Sequence, residues 1–176
     1  YLSAQRAVCI CSPQNSTTMD LRFTPDIQSL TRVTMDDKPP PGIRHWPGIP
    51  WKCNRHGNNY IQTQRITGEF FRAMRIYVSL ATPARLVPVV GEPTVAISFQ
   101  HLGCAWGRLS GVKGMLQFQP GQCYISLLLP GSHHESLIEL EAGHYEATVI
   151  LIEKKYEAAF LKMFPTLAAE MERILN

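Results

Sequence analysis

The chain has 176 residues, of which 45% are hydrophobic and 18% are charged, and its formal net charge is +3. This length suits one domain with a hydrophobic core, with or without an arm, and argues against two full domains. No run approaches the roughly 18 consecutive apolar residues of a membrane helix, and a small, scattered positive charge does not by itself indicate nucleic-acid binding.

The cysteines are odd in number and irregularly spaced, without the dense framework of a disulfide-stabilised domain. They are Cys9, Cys11, Cys53, Cys104 and Cys123. We therefore expect thiols, a reducing cytoplasmic location and no membrane association.

The first predicted unit is a largely irregular arm over residues 1–59. Its segment DDKPPPGIRHWPGIPW contains three consecutive prolines, which exclude a regular helix or a central strand there. Aromatic rings in an otherwise polar segment usually pack onto a folded surface. Trp46 and Trp51 are accordingly expected to dock the arm on the domain.

Residues 60–152 predict a β-domain of about eight short strands, separated by turn signals such as Pro120-Gly121 and Pro130-Gly131. The strands are YIQTQRI, FFRAMRIYVSL, ATPARLVPVVGEP, TVAISFQHLG, MLQFQ, CYISLLL, ESLIELE and YEATVILI. A spacing near ten residues favours an antiparallel sandwich or barrel. Alternation places Val95, Ile97 and Phe99 on one face.

The segment CYISLLL, residues 123–129, is apolar on both faces. This pattern is typical of a strand buried on both sides, or of one that lines an apolar cavity and is covered on its outer face. One face carries Tyr124, Ser126 and Leu128, and the other carries Cys123, Ile125, Leu127 and Leu129. The residues leave open which of the two faces the interior.

Residues 153–176 predict two C-terminal α-helices. In EKKYEAAFLKMF, Tyr156, Phe160 and Met163 or Phe164 share a helical face, and Pro165 suits the first turn of a second helix, TLAAEMERILN. Both helices are amphipathic, so each needs a cover for its apolar stripe. The outer wall of the barrel and a partner helix are both candidates.

The residues give no pattern of metal or nucleophilic chemistry. The H-x-H pair that would point two imidazoles inward from one strand is absent, because the only histidine pair is the adjacent His133-His134. His101 or His144 would have to join that pair from other strands. G-x-S-x-G and P-loop motifs are absent as well. We therefore expect no metal, no cofactor and no catalysis.

A ligand cavity is the remaining chemical possibility. Side chains that combine flat apolar area with a polar tip orient guests in such cavities. The candidates are Arg75, Tyr77, Gln100, His101, Trp106 and Tyr124. Each also has an ordinary interpretation as a surface charge, a core edge or a loop anchor.

The order of these features resembles the N-terminal regulatory domain of AraC-family transcription regulators, in the branch typical of Bacteroidetes. The matching points are the Phe-x-Pro-Gly turn at Phe118–Gly121, the strand closing on Pro130, the acidic strand Glu139–Tyr145 and the Phe164-Pro165 step. They fall within about residues 60–176, roughly two thirds of the chain.

The resemblance implies a cupin-like antiparallel β-barrel or jelly roll with trailing helices. It further implies that the domain senses a small-molecule effector, forms a homodimer through its C-terminal helices and has no catalysis of its own. Such regulators contact DNA only through a helix-turn-helix part, which this chain lacks. Two alternatives stay open: a cupin-type metal-dependent enzyme acting on a small molecule or sugar, and a carbohydrate-binding jelly roll using Trp46, Trp51 and Trp106.

Overall fold

A computed structural model describes residues 19–24, 31–33, 42–108, 114–131, 136–166 and 168–169. In these ranges the chain is mainly β-structure, with one α-helix. The strands are β1 (Asp20–Thr24), β2 (Thr31–Val33), β3 (Lys52–His56), β4 (Asn59–Thr67), β5 (Arg72–Leu80), β6 (Ala84–Val89), β7 (Thr94–Leu102), β8 (Ala105–Arg108), β9 (Leu116–Phe118), β10 (Cys123–Leu128), β11 (Leu137–Leu140) and β12 (Gly143–Glu153). Helix α1 (Glu157–Met163) follows β12 through a 3-10 turn, Lys154–Tyr156.

The strands of the described residues form two antiparallel sheets. The five-stranded sheet has the order β1-β6-β11-β8-β9, and the seven-stranded sheet has the order β10-β7-β12-β5-β4-β3-β2. The predicted mainly β, cupin-like architecture is confirmed by this pair of sheets and the core between them. The eight strands predicted from residue 60 onward correspond to β4–β7 and β9–β12.

The core forms where the inner faces of the two sheets meet. On β5, Met74, Ile76, Val78 and Leu80 alternate with polar residues, and all four are buried in the main hydrophobic cluster. Side chains two residues apart in a strand point to the same face of the sheet. The alternation therefore places the apolar face of β5 in the interior of the domain. The opposite face of the same strand is left to polar groups.

The turn between β9 and β10 has the geometry that its sequence predicts. Gln122 donates its backbone N–H to the Gln119 carbonyl oxygen at 3.2 Å, and Gly121 has φ +82°. Pro120 fixes the first central position, and the second needs the left-handed conformation that glycine adopts without strain. The Pro-Gly turn thus sets where β10 begins.

The described residues before Tyr60 include three strands, in a segment whose composition predicted a largely irregular arm. β1 lies at the edge of the five-stranded sheet, and β2 and β3 close one side of the seven-stranded sheet. These strands have three to five residues each. β1 and β2 are edge strands, which tolerate polar side chains because only one flank is paired. All three strands are too short to show the alternation that identifies β4–β7.

The segment at residues 42–51 docks on the outer face of the seven-stranded sheet. Trp51 is buried, and Gln64 of β4 anchors the segment. Gln64 accepts the Trp46 backbone N–H at 2.7 Å, and its amide donates to the carbonyl oxygens of Trp46 at 3.0 Å and Ile49 at 2.5 Å. The docking role predicted for the two tryptophans is confirmed.

One α-helix is present in the described residues, so the prediction of two C-terminal helices is not supported. Helix α1 buries Phe160 on the outer wall of the sheet, while Met163 and Phe164 are about half exposed. Ala168 donates to the Phe164 carbonyl oxygen at 3.0 Å, which makes one further helical turn. Most of the predicted second helix, residues 170–176, lies outside the described residues. Among the helices that can be described, none has the length and apolar character to cross a membrane.

Candidate functional site

A cavity of about 110 Å³ lies between the two sheets. Both sheets contribute to its wall, which is predominantly apolar. The lining residues are Met19, Leu21, Ile76, Val78, Leu86, Pro88, Ala96, Ser98, Gln100, Ala105, Phe118, Tyr124, Ser126, Leu128, Ile138, Leu140, Tyr145, Ala147 and Val149. An apolar cavity of roughly 150 Å³ holds one benzene molecule, so this cavity matches a guest near the size of a single ring.

Small side chains on neighbouring strands create this space. Ala96 and Ser98 stand on the inner face of β7, with Ser126 of β10 opposite Ala96 and Ala147 of β12 opposite Gln100 in the register. Interiors are packed at crystal density, so a run of short side chains leaves a gap unless the facing sheet fills it. The cavity therefore follows from residue choice on three adjacent strands.

The two faces of β10 are now distinguished. Tyr124, Ser126 and Leu128 line the cavity. Ile125 and Leu127 pack on the opposite side against a second hydrophobic cluster that includes Phe160 of α1. The sequence pattern of a strand lining a cavity and covered on its outer face is confirmed, and the inner face is the one that begins with Tyr124.

Two of the predicted ligand-binding residues, Gln100 and Tyr124, line the cavity, but their polar groups already have partners. The Gln100 amide donates to the carbonyl oxygens of Leu102 at 2.7 Å and Gly103 at 3.0 Å. The Tyr124 hydroxyl accepts the Gln119 backbone N–H at 2.8 Å. Both side chains are therefore fixed as wall elements, with their flat surfaces turned to the cavity.

Two serines of the wall, Ser98 and Ser126, were not among the residues predicted from the sequence, and neither was Tyr145. Neither serine hydroxyl makes a side-chain hydrogen bond within the described part of the chain. A signal for Ser98 existed in the sequence. Because Val95 and Ile97 share one face of β7, residues 96, 98 and 100 had to share the other.

The cavity wall has no charged side chain among its described residues. Transfer of an ionised group into such surroundings without a partner is strongly unfavourable. Tyr145 adds a phenol: burial raises its pKa, and its hydroxyl donates to the Glu141 carbonyl oxygen at 2.9 Å. The wall therefore suits an uncharged guest with an apolar body and one hydrogen-bonding group for the serines.

The other four predicted ligand residues lie elsewhere. Arg75 and Tyr77 are on the outer face of the seven-stranded sheet, because Ile76 and Val78 occupy the inner positions of β5. His101 of β7 lies on the same face, next to Thr148 of β12. Trp106 of β8 is 47% exposed and is not part of the wall. The six residues predicted to share one cavity are therefore not together in the structure. Two of them line the cavity, and the others lie outside it.

On that outer face the polar groups form pairs. Arg75 Nε lies 3.7 Å from Glu146 Oε1, and the Tyr77 hydroxyl lies 2.9 Å from His144 Nδ1. Burial, with smaller contributions from Tyr60, raises the pKa of Tyr77 to about 12. The phenol therefore stays protonated, and its hydroxyl is hydrogen-bonded with the His144 imidazole.

His101 occupies a β-bulge. Gln100 pairs with Ala147 and Leu102 pairs with Glu146, which leaves His101 as the extra residue of β7. Its Nε2 lies 2.9 Å from Thr148 Oγ1. Burial lowers the pKa of His101; Glu146 opposes this, and the positive charges of Arg75 and Arg44 reinforce it. Bulges re-aim side chains in this way, often beside functional sites.

The histidines that the sequence offers for a metal site are His101, His133, His134 and His144. In the ranges that the structure describes, there is no group of three or more His, Cys, Asp or Glu side chains able to hold an ion. His133 and His134 lie outside these ranges. His101 and His144 each have a polar partner on the outer face.

No family model and no curated protein matches the chain. Solved structures do resemble it. The EutQ protein of Clostridium difficile is 7% identical, with a TM-score of 0.39 over 55% of this chain and 70% of that one. The ectoine synthase of P. lautus is 12% identical, with a TM-score of 0.39 over 53% and 64%. A predicted oxalate decarboxylase of Thermotoga maritima is 13% identical, with a TM-score of 0.39 over 60% and 94%.

These likenesses concern the backbone architecture alone. They also correct one expectation. The prediction that the chain is not an enzyme is wrong as a general exclusion, because proteins named as enzymes are among those that resemble it. At these identities the likeness concerns the fold and transfers no substrate.

Proposed function

We propose that this chain is a cupin-like sensing domain that binds a small, uncharged, largely apolar effector between its sheets. The observation that carries this proposal is the cavity of about 110 Å³ whose wall combines apolar side chains with the hydroxyls of Ser98 and Ser126. A few polar groups in an apolar wall are what small-molecule sites use to orient a guest. The AraC-type resemblance supports an effector rather than a structural lipid.

β10 connects the cavity with helix α1, because its two faces contact one each. Its inner side chains Ser126 and Leu128 contact the space that a guest would fill, and its outer side chains Ile125 and Leu127 pack with Phe160 of α1. A guest shifts a conformational equilibrium only if it contacts the two states differently. In this proposal, occupancy of the cavity selects the position of β10 and, through it, that of α1.

Self-association and cellular location complete the proposal. Met163 and Phe164 at the end of α1 are 54% and 48% exposed, and the resemblance supports a second copy as the partner of this end. Thiols at Cys53, Cys104 and Cys123 suit the reducing cytoplasm.

The experiment is a binding titration with phenol, benzene and benzoate, followed by chemical shift mapping. We expect saturable binding of phenol at resonances of the cavity wall, weaker binding of benzene, which offers the serines no partner, and no binding of benzoate in the cavity. Ser98→Leu should fill the space and abolish phenol binding. Phe99→Leu, the next residue on β7 but on the outer face, is the matched control and should bind phenol normally.

Hydrogen exchange of α1 with and without phenol tests the sensing part. Slower or faster exchange of the α1 amides on saturation, lost in Ser98→Leu, is the expected result. Binding of benzoate in preference to phenol, or full phenol binding by Ser98→Leu, would contradict the assignment of the cavity.

A further inference from the structure

The outer face of the seven-stranded sheet holds a buried ion pair that is incompletely satisfied. Arg75 is 9% exposed and Glu146 is 6% exposed, and they approach each other only to 3.7 Å. Arg75 Nε and Glu146 Oε1 are fully buried without a hydrogen-bond partner among the residues that the structure describes. Each of these atoms therefore has unused hydrogen-bonding capacity inside the protein.

Such an arrangement is costly on its own. A charged group that is removed from water loses its strong hydration. An ion pair compensates for this loss of free energy only if its geometry is good and further hydrogen bonds are formed. At 3.7 Å the pair is longer than the roughly 2.7–2.9 Å of a charge-assisted hydrogen bond. Buried polar groups are nearly always hydrogen-bonded in native proteins, so the two atoms of this ion pair that lack a hydrogen bond point to a polar molecule that completes the arrangement.

A third unpaired atom lies in the same row of the sheet. Gln62 of β4 and Glu146 of β12 stand on either side of Tyr77 in the strand register. Gln62 Oε1 is buried and has no hydrogen-bond partner in the described ranges, and its residue is 4% exposed. This face therefore offers one cationic donor, Arg75, and two acceptors, Glu146 and Gln62.

The cover of this face adds positive charge. The Trp46 ring stands over the Arg75 guanidinium at 5.5 Å, and Arg44 of the same segment acts electrostatically on His101. Arg75, Arg44 and Glu146 together carry a net charge of +1, and the lowered pKa of His101 keeps that imidazole neutral near pH 7. The balance favours a guest with one negative charge.

We propose that the outer face at Arg75, Glu146 and Gln62, beneath Trp46, is a second binding site, specific for a small carboxylate that also carries a hydroxyl or amino donor. The carboxylate accepts hydrogen bonds from the Arg75 guanidinium, which matches it as a planar fork. The donor of the guest goes to Glu146 or Gln62. The partly buried Trp46 ring covers the Arg75 guanidinium, so in this proposal the guest enters where that ring turns aside.

The experiment uses the full chain with two probes, lactate and propionate, which differ in the hydroxyl. Titration followed by chemical shift mapping should give saturable shifts at the Trp46 indole and at Tyr77, with lactate binding more tightly than propionate. Arg75→Lys retains the charge but not the fork, and should weaken lactate binding about tenfold or more. Glu146→Gln should reduce the preference for lactate.

Arg85→Lys is the matched control. Arg85 pairs with Glu139 at 3.1 Å on the other sheet, where both side chains are well exposed, and its replacement should leave lactate binding unchanged. If Arg75→Lys does not fold, mapping on the unsubstituted chain still decides. Absence of saturable shifts with either probe means that water alone satisfies these atoms, and shifts at Ser98 and Ser126 place the carboxylate in the cavity; either result overturns the proposal. Because the cavity lies on the opposite face, the effector proposal stands or fails independently.

Discussion

The two faces of the seven-stranded sheet are built from the same strands but have opposite chemistry. Toward the cavity, β5 presents Ile76 and Val78; toward the outside, it presents Arg75 and Tyr77. The inner wall is apolar with few free polar groups, whereas the outer face near Trp46 is a dense set of polar pairs.

The difference shows that burial and polarity are separate properties in this domain. Tyr77 is 3% exposed and Ile76 is 6% exposed, although they point to opposite sides of the sheet. The inner face is buried by the other sheet, and the outer face is buried by the segment at residues 42–51 and by α1. Substitutions on the two faces should therefore destabilise the domain by different amounts and for different physical reasons.

The largest effect is expected from Ile76→Ala, which removes core volume on the inner face. Truncation of a buried isoleucine destabilises by about 2–5 kcal/mol, through lost apolar burial and the void left behind. Tyr77→Phe, the adjacent residue on the outer face, should cost only about 1 kcal/mol, the value of one hydrogen bond. Urea unfolding of both variants measures the contrast, and equal losses would mean that the two faces do not differ in this way.

Gly103→Ala should come next. Gly103 has φ +76°, and an added Cβ would lie 2.4 Å from a Tyr145 ring carbon and 2.7 Å from the His144 carbonyl oxygen. Backbone strain and the clash together should cost about 2–4 kcal/mol. Gly121→Ala, at φ +82° in open space, isolates the backbone strain and should cost about 1 kcal/mol. Similar melting temperatures for the two variants would argue against close packing of Gly103 on Tyr145.

Gln64→Ala tests the attachment of the segment over the outer face. It leaves the backbone groups of Trp46 and Ile49 without their partner, and the loss should be about 2 kcal/mol. The Trp46 amide should exchange much faster, while the amides of β10 should not change. Gln117→Ala, on an exposed glutamine, is the control and should leave both stability and exchange within error.

The smallest effect is a pH dependence from His101. Its folded pKa is lowered, chiefly by burial, from an unfolded value of about 6.5. The folded state thus binds fewer protons than the unfolded state, so stability is complete above about pH 6.5 and declines as pH falls toward the folded pKa. His101→Gln should flatten the curve of unfolding free energy against pH between about 5 and 7 relative to the unsubstituted chain. An unchanged slope would assign the dependence to other groups.

The sequence predicted strands well where alternation was strong. β7 shows this, since Val95 and Ile97 were placed on one face and do share the outer side, packed with Ile152 and Phe160. The same rule applied to Met74, Ile76 and Val78 of β5 would have assigned Arg75 and Tyr77 to the outside. The predicted site combined residues of the inner and outer faces because it followed side-chain type alone. The alternation along each strand, which determines the face, was not applied to it.

Other features depend on contacts that a single sequence does not encode locally. The bulge at His101 arises from how β7 pairs with β12, which lies more than forty positions later in the chain. The pairing of Gln64 with Trp46 is likewise a long-range contact between an irregular segment and a regular strand. Short strands such as β3 lack a pattern of their own, because pairing rather than propensity holds them.

The bulge in β7 also bears on how this region tolerates changes in length. Because His101 is the unpaired extra residue, deleting it would bring Leu102 next to Gln100 while both kept their partners Glu146 and Ala147 on β12, so the pairing of the two strands would become regular. The hydrogen bonds of Gln100 to Leu102 and Gly103 would then lose their geometry. A deletion of His101 should therefore preserve the pairing of β7 with β12, and its cost should come from these lost hydrogen bonds and from the lost contact of His101 with Thr148.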